Sequence, residues 1–175
     1  MKMAHILIDA YNLIAKMEGI SGNLEPQRER FIRKLSEYRA QKGHSITVVF
    51  DGEKGGWATE SHERTLGINI VFSRLGEKAD DVIKRMVRGR EEEYTVITSD
   101  KEVASFAETW GHTAIPSEEF IPKLRYGYDK GTGADRAYKD DEEDDGNQVV
   151  TTRKKGNPNK LSKAARRRKQ RLDRL

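Results

Sequence analysis

Over residues 1–127, short apolar runs alternate with stretches whose apolar residues recur every three or four positions. The runs are His5–Asp9 (HILID), Ser45–Asp51 (SITVVFD), Gly67–Ser73 (GINIVFS), Tyr94–Asp100 (YTVITSD) and the short Thr113–Pro116 (TAIP). Between them, Gln27–Arg39 carries Phe31, Ile32, Leu35 and Tyr38 at helical spacing, and Lys42-Gly43 supplies a stop. Lys78–Arg88 gathers Ala79, Val82, Ile83, Met86 and Val87 on one side, and Val103–Trp110 forms a further helix. Strands separated by helices predict a parallel sheet with right-handed crossovers. Near-continuous apolar strands are those buried on both faces.

From about Gly127 this pattern dissolves. The organisation that follows is a body over 1–127, a Gly-containing acidic linker over 128–149 and a basic tail over 150–175, expected to be disordered when free. Leu161, Ala165, Arg168, Leu172 and Leu175 still fall at alternating spacings of four and three, so the tail can become a basic amphipathic helix once a partner neutralises it.

Charge sharpens this division. The chain holds 33 Lys and Arg against 29 Asp and Glu, a net +4. The stretch Val150–Leu175 alone has 11 Lys and Arg against one acid, Asp173, whereas Asp140–Asp145 is an unbroken run of six acids. Such a split points to a polyanionic partner for the tail, with the acidic run a spacer or an internal competitor for it.

Composition removes several classes of function. There is no cysteine among the 175 residues, which excludes disulfides, thiol catalysis and thiolate zinc sites. No segment approaches the ~20 apolar residues of a membrane span. Asp9 and Asn12 interrupt the only candidate signal-peptide core, so a cytoplasmic location without membrane association is expected. The histidines are scattered, without an HExxH pattern, and Gly52–Gly56 lacks the Gly-Lys-Ser/Thr end of a phosphate loop. A phosphatase with paired aspartates after its first strand would need an acid where Tyr11 stands.

The informative chemistry is the placement of acids. Asp9, Asp51 and Asp100 each close an apolar strand, and Asp80, with Asp81 beside it, opens a helix after the third strand. In an open parallel sheet all strand carboxyl ends share one edge, where the active-site crevice lies. Each aspartate alone suits a helix N-cap or turn. Together, carboxylates converging there repel one another unless a cation joins them. With only oxygen ligands on offer, that cation is expected to be Mg²⁺ or Mn²⁺.

These stretches carry a resemblance. Leu7-Ile8-Asp9-Ala10-Tyr11-Asn12 resembles the opening strand and Asp-x-x-Asn signature of NYN domains, a branch of the PIN-like nucleases. Val49-Phe50-Asp51-Gly52, Glu77–Ile83 (EKADDVI) and Ile97-Thr98-Ser99-Asp100 are similar, in order and spacing, to the YacP-like branch of that family. The resemblance implies an α/β, three-layer PIN-like fold around a mostly parallel sheet. It also implies a metal-dependent endoribonuclease acting on mRNA or rRNA, with RNA and the ribosome as partners. In that scheme Asp9, Asp80 and Asp100 bind metal, and Asn12 orients a ligand, water or the scissile phosphate. Asp81 matches a second acid of some relatives, Asp51 stands at the rim, and Glu102 is the nearest match to a fourth acid.

Substrate contacts are expected from Lys54, Trp57 and Arg64 in the segment after the second strand, where Trp57 is either a base-stacking platform or a loop anchor. Arg166, Arg167, Arg168, Lys169 and Arg171 of the tail are expected to meet RNA phosphates. The alternative function is a non-catalytic RNA- or ribosome-binding protein on a nuclease-like fold.

Overall fold

A computed structural model describes residues 3–52, 58–89, 93–126 and 162–175. Its centre is a six-stranded sheet of β1 (His5–Asp9), β2 (Ser45–Phe50), β3 (Ser61–Thr65), β4 (Ile68–Phe72), β5 (Tyr94–Ile97) and β6 (Thr113–Ile115), in the order β3-β4-β2-β1-β5-β6. All neighbouring pairs are parallel except β3–β4. Strand alternation sends Ile6 and Ile8 to one face and Leu7 to the other. On the first face lie α1 (Ala10–Glu18), α2 (Leu24–Lys42), α5 (Ser117–Tyr126) and α6 (Lys163–Arg174), contributing among others Leu13, Phe31, Leu35, Phe120 and Leu172 to the packing. On the second face α3 (Ala79–Arg88) and α4 (Lys101–Thr109) pack Val82, Ile83, Val103 and Ala107 against Leu7, Val49 and Val96. The result is the expected three-layer arrangement.

Local signals fix the element ends. Asn23 caps α2 by accepting from the Glu25 amide, and Gly43, at φ +70°, closes it in the left-handed conformation. The antiparallel pair β3–β4 turns through Leu66 and Gly67, both with positive φ, as a two-residue hairpin demands. After β2 the chain turns so closely past the end of β4 that a Cβ on Gly52 would sit 1.7 Å from the Ser73 carbonyl oxygen. The Gly52 amide also donates to Ser73 Oγ at 2.8 Å. Gly52→Ala is therefore expected to displace the backbone beside Asp51 and cost at least ~2 kcal/mol, read as a lowered denaturation midpoint.

Within the tail, residues 162–175 form the amphipathic helix that their apolar spacing allows. The acidic linker and residues up to 161 lie outside the described residues. Ser162 caps α6, and the helix docks beside β6. Its partner is the body itself. Leu175 is completely buried, and its carbonyl accepts from Tyr38 Oη at 2.7 Å. Arg171 and Arg167 reach Glu93, and Arg168 reaches Glu119 at 3.4 Å. The spacing of Leu172 and Leu175 supplies the apolar stripe, and acids on the body neutralise the arginines.

His44 joins this contact. Its Nδ1 accepts from the Ala4 amide, so the proton is on Nε2, which donates to the Arg174 carbonyl at 3.2 Å. Burial lowers the His44 pKa, and the neighbouring Lys42 and Arg171 act the same way, against the opposing Arg174 hydrogen bond. Neutral His44 thus favours the folded state. That contribution is present above the unfolded value of ~6.5 and is lost as pH falls below it. Amide exchange in α6 is expected to accelerate, relative to the central strands, between pH 7 and pH 5. An His44→Gln variant should lose that acid-dependent component.

Candidate active site

β1 is the strand at which chain order reverses, with β2 on one side and β5 on the other. The crevice at its carboxyl end is where this topology places a ligand. A cleft of about 330 Å³ opens there, lined by Asp9, Asp51, Asp80, Asp100, Tyr11, Asn12 and Lys78, among others. Asp9, Asp51, Asp80 and Asp100 therefore share one site, as their sequence positions predicted. Asp81 is exposed and is not among the lining residues.

Each carboxylate is held by an element end. Asp9 is the last residue of β1 and the N-cap of α1. It accepts from the Asn12 amide and from Thr98 Oγ1, each at 3.4 Å. Asp100 caps α4, accepting from the Glu102 and Val103 amides at 2.7 and 3.1 Å. Asp80 is in the first turn of α3, whose cap residue, Lys78, makes no side-chain cap bond. The capping and convergent-acid readings of these aspartates are thus both realised, because a helix N-terminus fixes a carboxylate's direction.

Asn12 acts as a bolt. Its amide oxygen accepts from the Ser99 amide at 3.0 Å and from Ser117 Oγ at 2.8 Å. These bonds occupy both lone pairs, which leaves the NH₂ group as the part of Asn12 that could reach a ligand. Around it, Ser99 Oγ donates to Glu118, and Lys16 pairs with Glu118 at 2.7 Å. Lys16 and Ser99 hold the Glu118 carboxyl down at about 2. Sequence reasoning missed this network, since its Ser117 and Glu118 open a helix, α5, whose polar start gave no apolar run.

Electrostatically the cleft is dominated by its carboxylates. Burial, then the charge of Asp80 and to a lesser degree Asp100, raises the Asp9 carboxyl to about 7, against the opposing hydrogen bonds from Asn12 and Thr98. Asp80 is also raised, by burial first and Asp100 next, with Lys84 and Lys78 opposing. Hard oxygen donors that repel one another fit a divalent cation. Among the described residues, however, no three acidic or histidine side chains stand as a ready-made metal-holding group. The donor chemistry of the cleft fits such an ion.

The remaining expected contacts divide. Lys54 and Trp57 lie outside the described residues. Arg64 is exposed on β3 and does not line the cleft. Arg166 and Lys169 are exposed on α6, whereas Arg167, Arg168 and Arg171 are engaged by Glu93 and Glu119. Among the described residues no helix is long and apolar enough to cross a membrane.

Comparison with known proteins matches a YacP-like NYN domain over residues 6–172. The chain belongs to the YacP-like NYN domain family. It is 28% identical over 89 residues to the uncharacterized protein YacP of Bacillus subtilis (strain 168), a match covering 47% of this chain and 51% of that one. The matched stretch thus spans about half the length of that relative. Two crystal structures of Rae1 (YacP) from Bacillus subtilis, one of them a point mutant, are similar in fold. The mutant gives a TM-score of 0.60 at 22% identity, covering 72% of this chain and 77% of that chain. The other gives 0.56 at 22% identity, covering 73% and 76%. The YacP-like NYN family has a PIN-like, nuclease-type fold, and the α/β sheet with its acid-lined crevice is that fold in this chain.

Proposed function

We propose that this YacP-like NYN protein is a divalent-cation-dependent endoribonuclease that hydrolyses phosphodiester bonds of mRNA or rRNA, with RNA and the ribosome as its partners. The observation that carries this reading is the convergence of Asp9, Asp80 and Asp100 in one cleft at the strand-order reversal. A protein that only bound RNA would gain nothing from turning those charges toward phosphate.

Asp9, Asp80 and Asp100 would hold Mg²⁺ or Mn²⁺, with Asp51 at the rim. Such an ion, when bound, offsets negative charge developing on a phosphoryl group and makes water a better nucleophile at neutral pH. The chain's own residues do the positioning. The Asn12 amide and Thr98 hydroxyl aim Asp9 into the cleft, and the α4 amides aim Asp100. Asn12 locks the 98–100 turn, so Asp100 and Asp9 keep their relative placement, and its NH₂ group remains to orient a phosphoryl oxygen. Lys78, exposed and lining the cleft, is a cation that an entering phosphate can meet. Hydrolysis of this kind leaves 5′-phosphate and 3′-hydroxyl ends.

The test is cleavage of end-labelled RNA, free and presented on ribosomes, in Mn²⁺. Asp80→Asn is expected to lower the rate at least ~100-fold with RNA binding retained. Metal-independent cleavage, or equal rates in the variant, would overturn the reading. The second reading is a binder without hydrolysis, with the exposed Arg166 and Lys169 of α6 available to phosphate. Binding with no cleavage in either presentation would establish that one.

A further inference from the structure

The end of α4 remote from the acid cleft carries a second concentration of chemistry. The helix is capped by Asp100 in the cleft and ends at Trp110, about 15 Å away along its axis. Trp110 keeps 48% of its surface in water. The Phe106 ring lies 6.1 Å from it, tilted by 33°, and the Arg88 guanidinium stands 5.4 Å from its centroid. Arg88, exposed on the last turn of α3, is also 5.5 Å from the Phe106 ring, and Lys84 is 6.0 Å from it. Lys84 and Arg88 are one turn apart on α3, as Phe106 and Trp110 are on α4. Two cations and two aromatic rings thus form facing rows on one outer surface.

A basic helix borders Trp110 on its other side. Arg167 Nη2 reaches the carbonyl of Gly111, the residue after Trp110, at 3.5 Å. Lys163, one turn before Arg167 on the same face of α6, is exposed. Glu93 and Glu119 engage Arg167, Arg168 and Arg171, while Lys163, Arg166, Lys169 and Arg174 remain exposed. The acids on the α3–α4 surface are Glu102, which pairs with Lys84, and Glu108, exposed beside Trp110. The basic charge of α6 and Arg88 outweighs them.

An open aromatic face with cations on either side suits single-stranded RNA, whose bases stack on the ring while its phosphates meet the cations. A protein partner would call for a wider apolar patch. Around Trp110, the exposed Arg88, Glu108, Thr109 and Gly111 supply none.

We infer that Trp110, Arg88 and the Lys163–Arg167 edge of α6 form an RNA exosite, where one base stacks on Trp110 and its flanking phosphates meet Arg88 and Lys163. The inference rests on RNA being the partner, as proposed above, and not on hydrolysis. It gives the α6 cations a place in one RNA path and makes Trp110 a substrate-binding residue remote from the carboxylates.

The test measures binding of a 5′-fluorescein-labelled single-stranded RNA of about 16 nucleotides to the full chain by fluorescence anisotropy, in EDTA, across a salt series. Cleavage in Mn²⁺, free and on ribosomes, is followed in parallel. Trp110→Leu is expected to weaken binding ~10-fold with little change in the slope of log K against log salt, because stacking carries no charge. An abasic oligomer of the same length should bind the wild type and Trp110→Leu equally, a contrast that a merely structural role for Trp110 would not produce. Arg88→Gln and Lys163→Gln should each reduce the slope by ~0.7, one phosphate contact on a single strand. Both positions are exposed, so these two variants decide the matter if Trp110→Leu does not fold. Wild-type binding and cleavage with unchanged affinity and slope in folded variants would overturn the exosite and leave the nuclease reading standing. Weakened variants with no wild-type cleavage in either presentation would support the exosite and overturn hydrolysis. Absence of wild-type binding would overturn both.

Discussion

Replacing Asp9 by Asn is expected to stabilise the fold at neutral and alkaline pH while reducing RNA cleavage at least ~100-fold. The Asp9 side chain is almost fully buried, and its carboxyl is raised from 3.8 to about 7 by burial and the charge of its neighbours. The protonated form is thus the one the folded state prefers. Between about pH 4 and pH 7 the folded chain binds more protons than the unfolded chain, so stability falls as pH rises through that window. At about 1.4 kcal/mol per pH unit, the loss above pH 7 amounts to ~4 kcal/mol. Asparagine keeps an oxygen to accept from the Asn12 amide, its NH₂ takes the place of the oxygen facing the Thr98 hydroxyl, which can turn to accept, and it carries no charge. Thermal melts at pH 8 should show the variant higher by roughly 10 °C, with the gap closing toward pH 4. Equal melting temperatures at both pH values would mean that Asp9 carries no such electrostatic load. Added Mn²⁺ should raise the wild-type melting temperature at pH 8 and leave the variant unmoved.

The second large effect concerns α6. Leu175→Ala is expected to cost ~2–5 kcal/mol, because the side chain is fully buried in the core shared with Tyr38 and Phe120. The melting temperature should fall by roughly 5 to 15 °C. Arg166→Gln and Lys169→Gln, on the exposed side of the same helix, should shift stability by less than ~0.5 kcal/mol. A helix only loosely associated with the body would give a small effect for all three. This contrast separates the structural role of the last residues from any role in binding RNA. Changes at Arg167, Arg168 and Arg171 would mix the two, since Glu93 and Glu119 engage them.

Strands and helices with strong apolar periodicity were legible from sequence. Residues of β1, β2, β4 and β5 fall within their expected runs, and the faces of α2 and α3 are the ones that pack. The elements that escaped are those whose sequence carries no apolar run. β3 reads SHERT because it is an exposed edge strand paired on one side only, through a hairpin signalled by little more than Gly67. α1 follows β1 without a break, so its apolar Leu13 and Ile14 merge with the strand's own pattern. In α6 the apolar stripe was visible but its docking was not, because the acids that receive it, Glu93 and Glu119, are remote in sequence.

The site divides in the same way. The positions of Asp9, Asp51, Asp80 and Asp100 followed from strand ends and topology. Asn12 was legible as a signature residue, but its bonds to Ser99 and Ser117 depend on how α5 returns to the cleft.

Calorimetric titration of Mn²⁺ into the wild type and Asp80→Asn tests the account's central claim most directly. Asp9, Asp80 and Asp100 acting as one cation site predicts binding to the wild type that is lost or weakened at least tenfold in the variant. It also predicts proton release near pH 7, as the cation displaces the proton from Asp9. Equal binding by the two proteins, or none by the wild type at millimolar Mn²⁺, would contradict it.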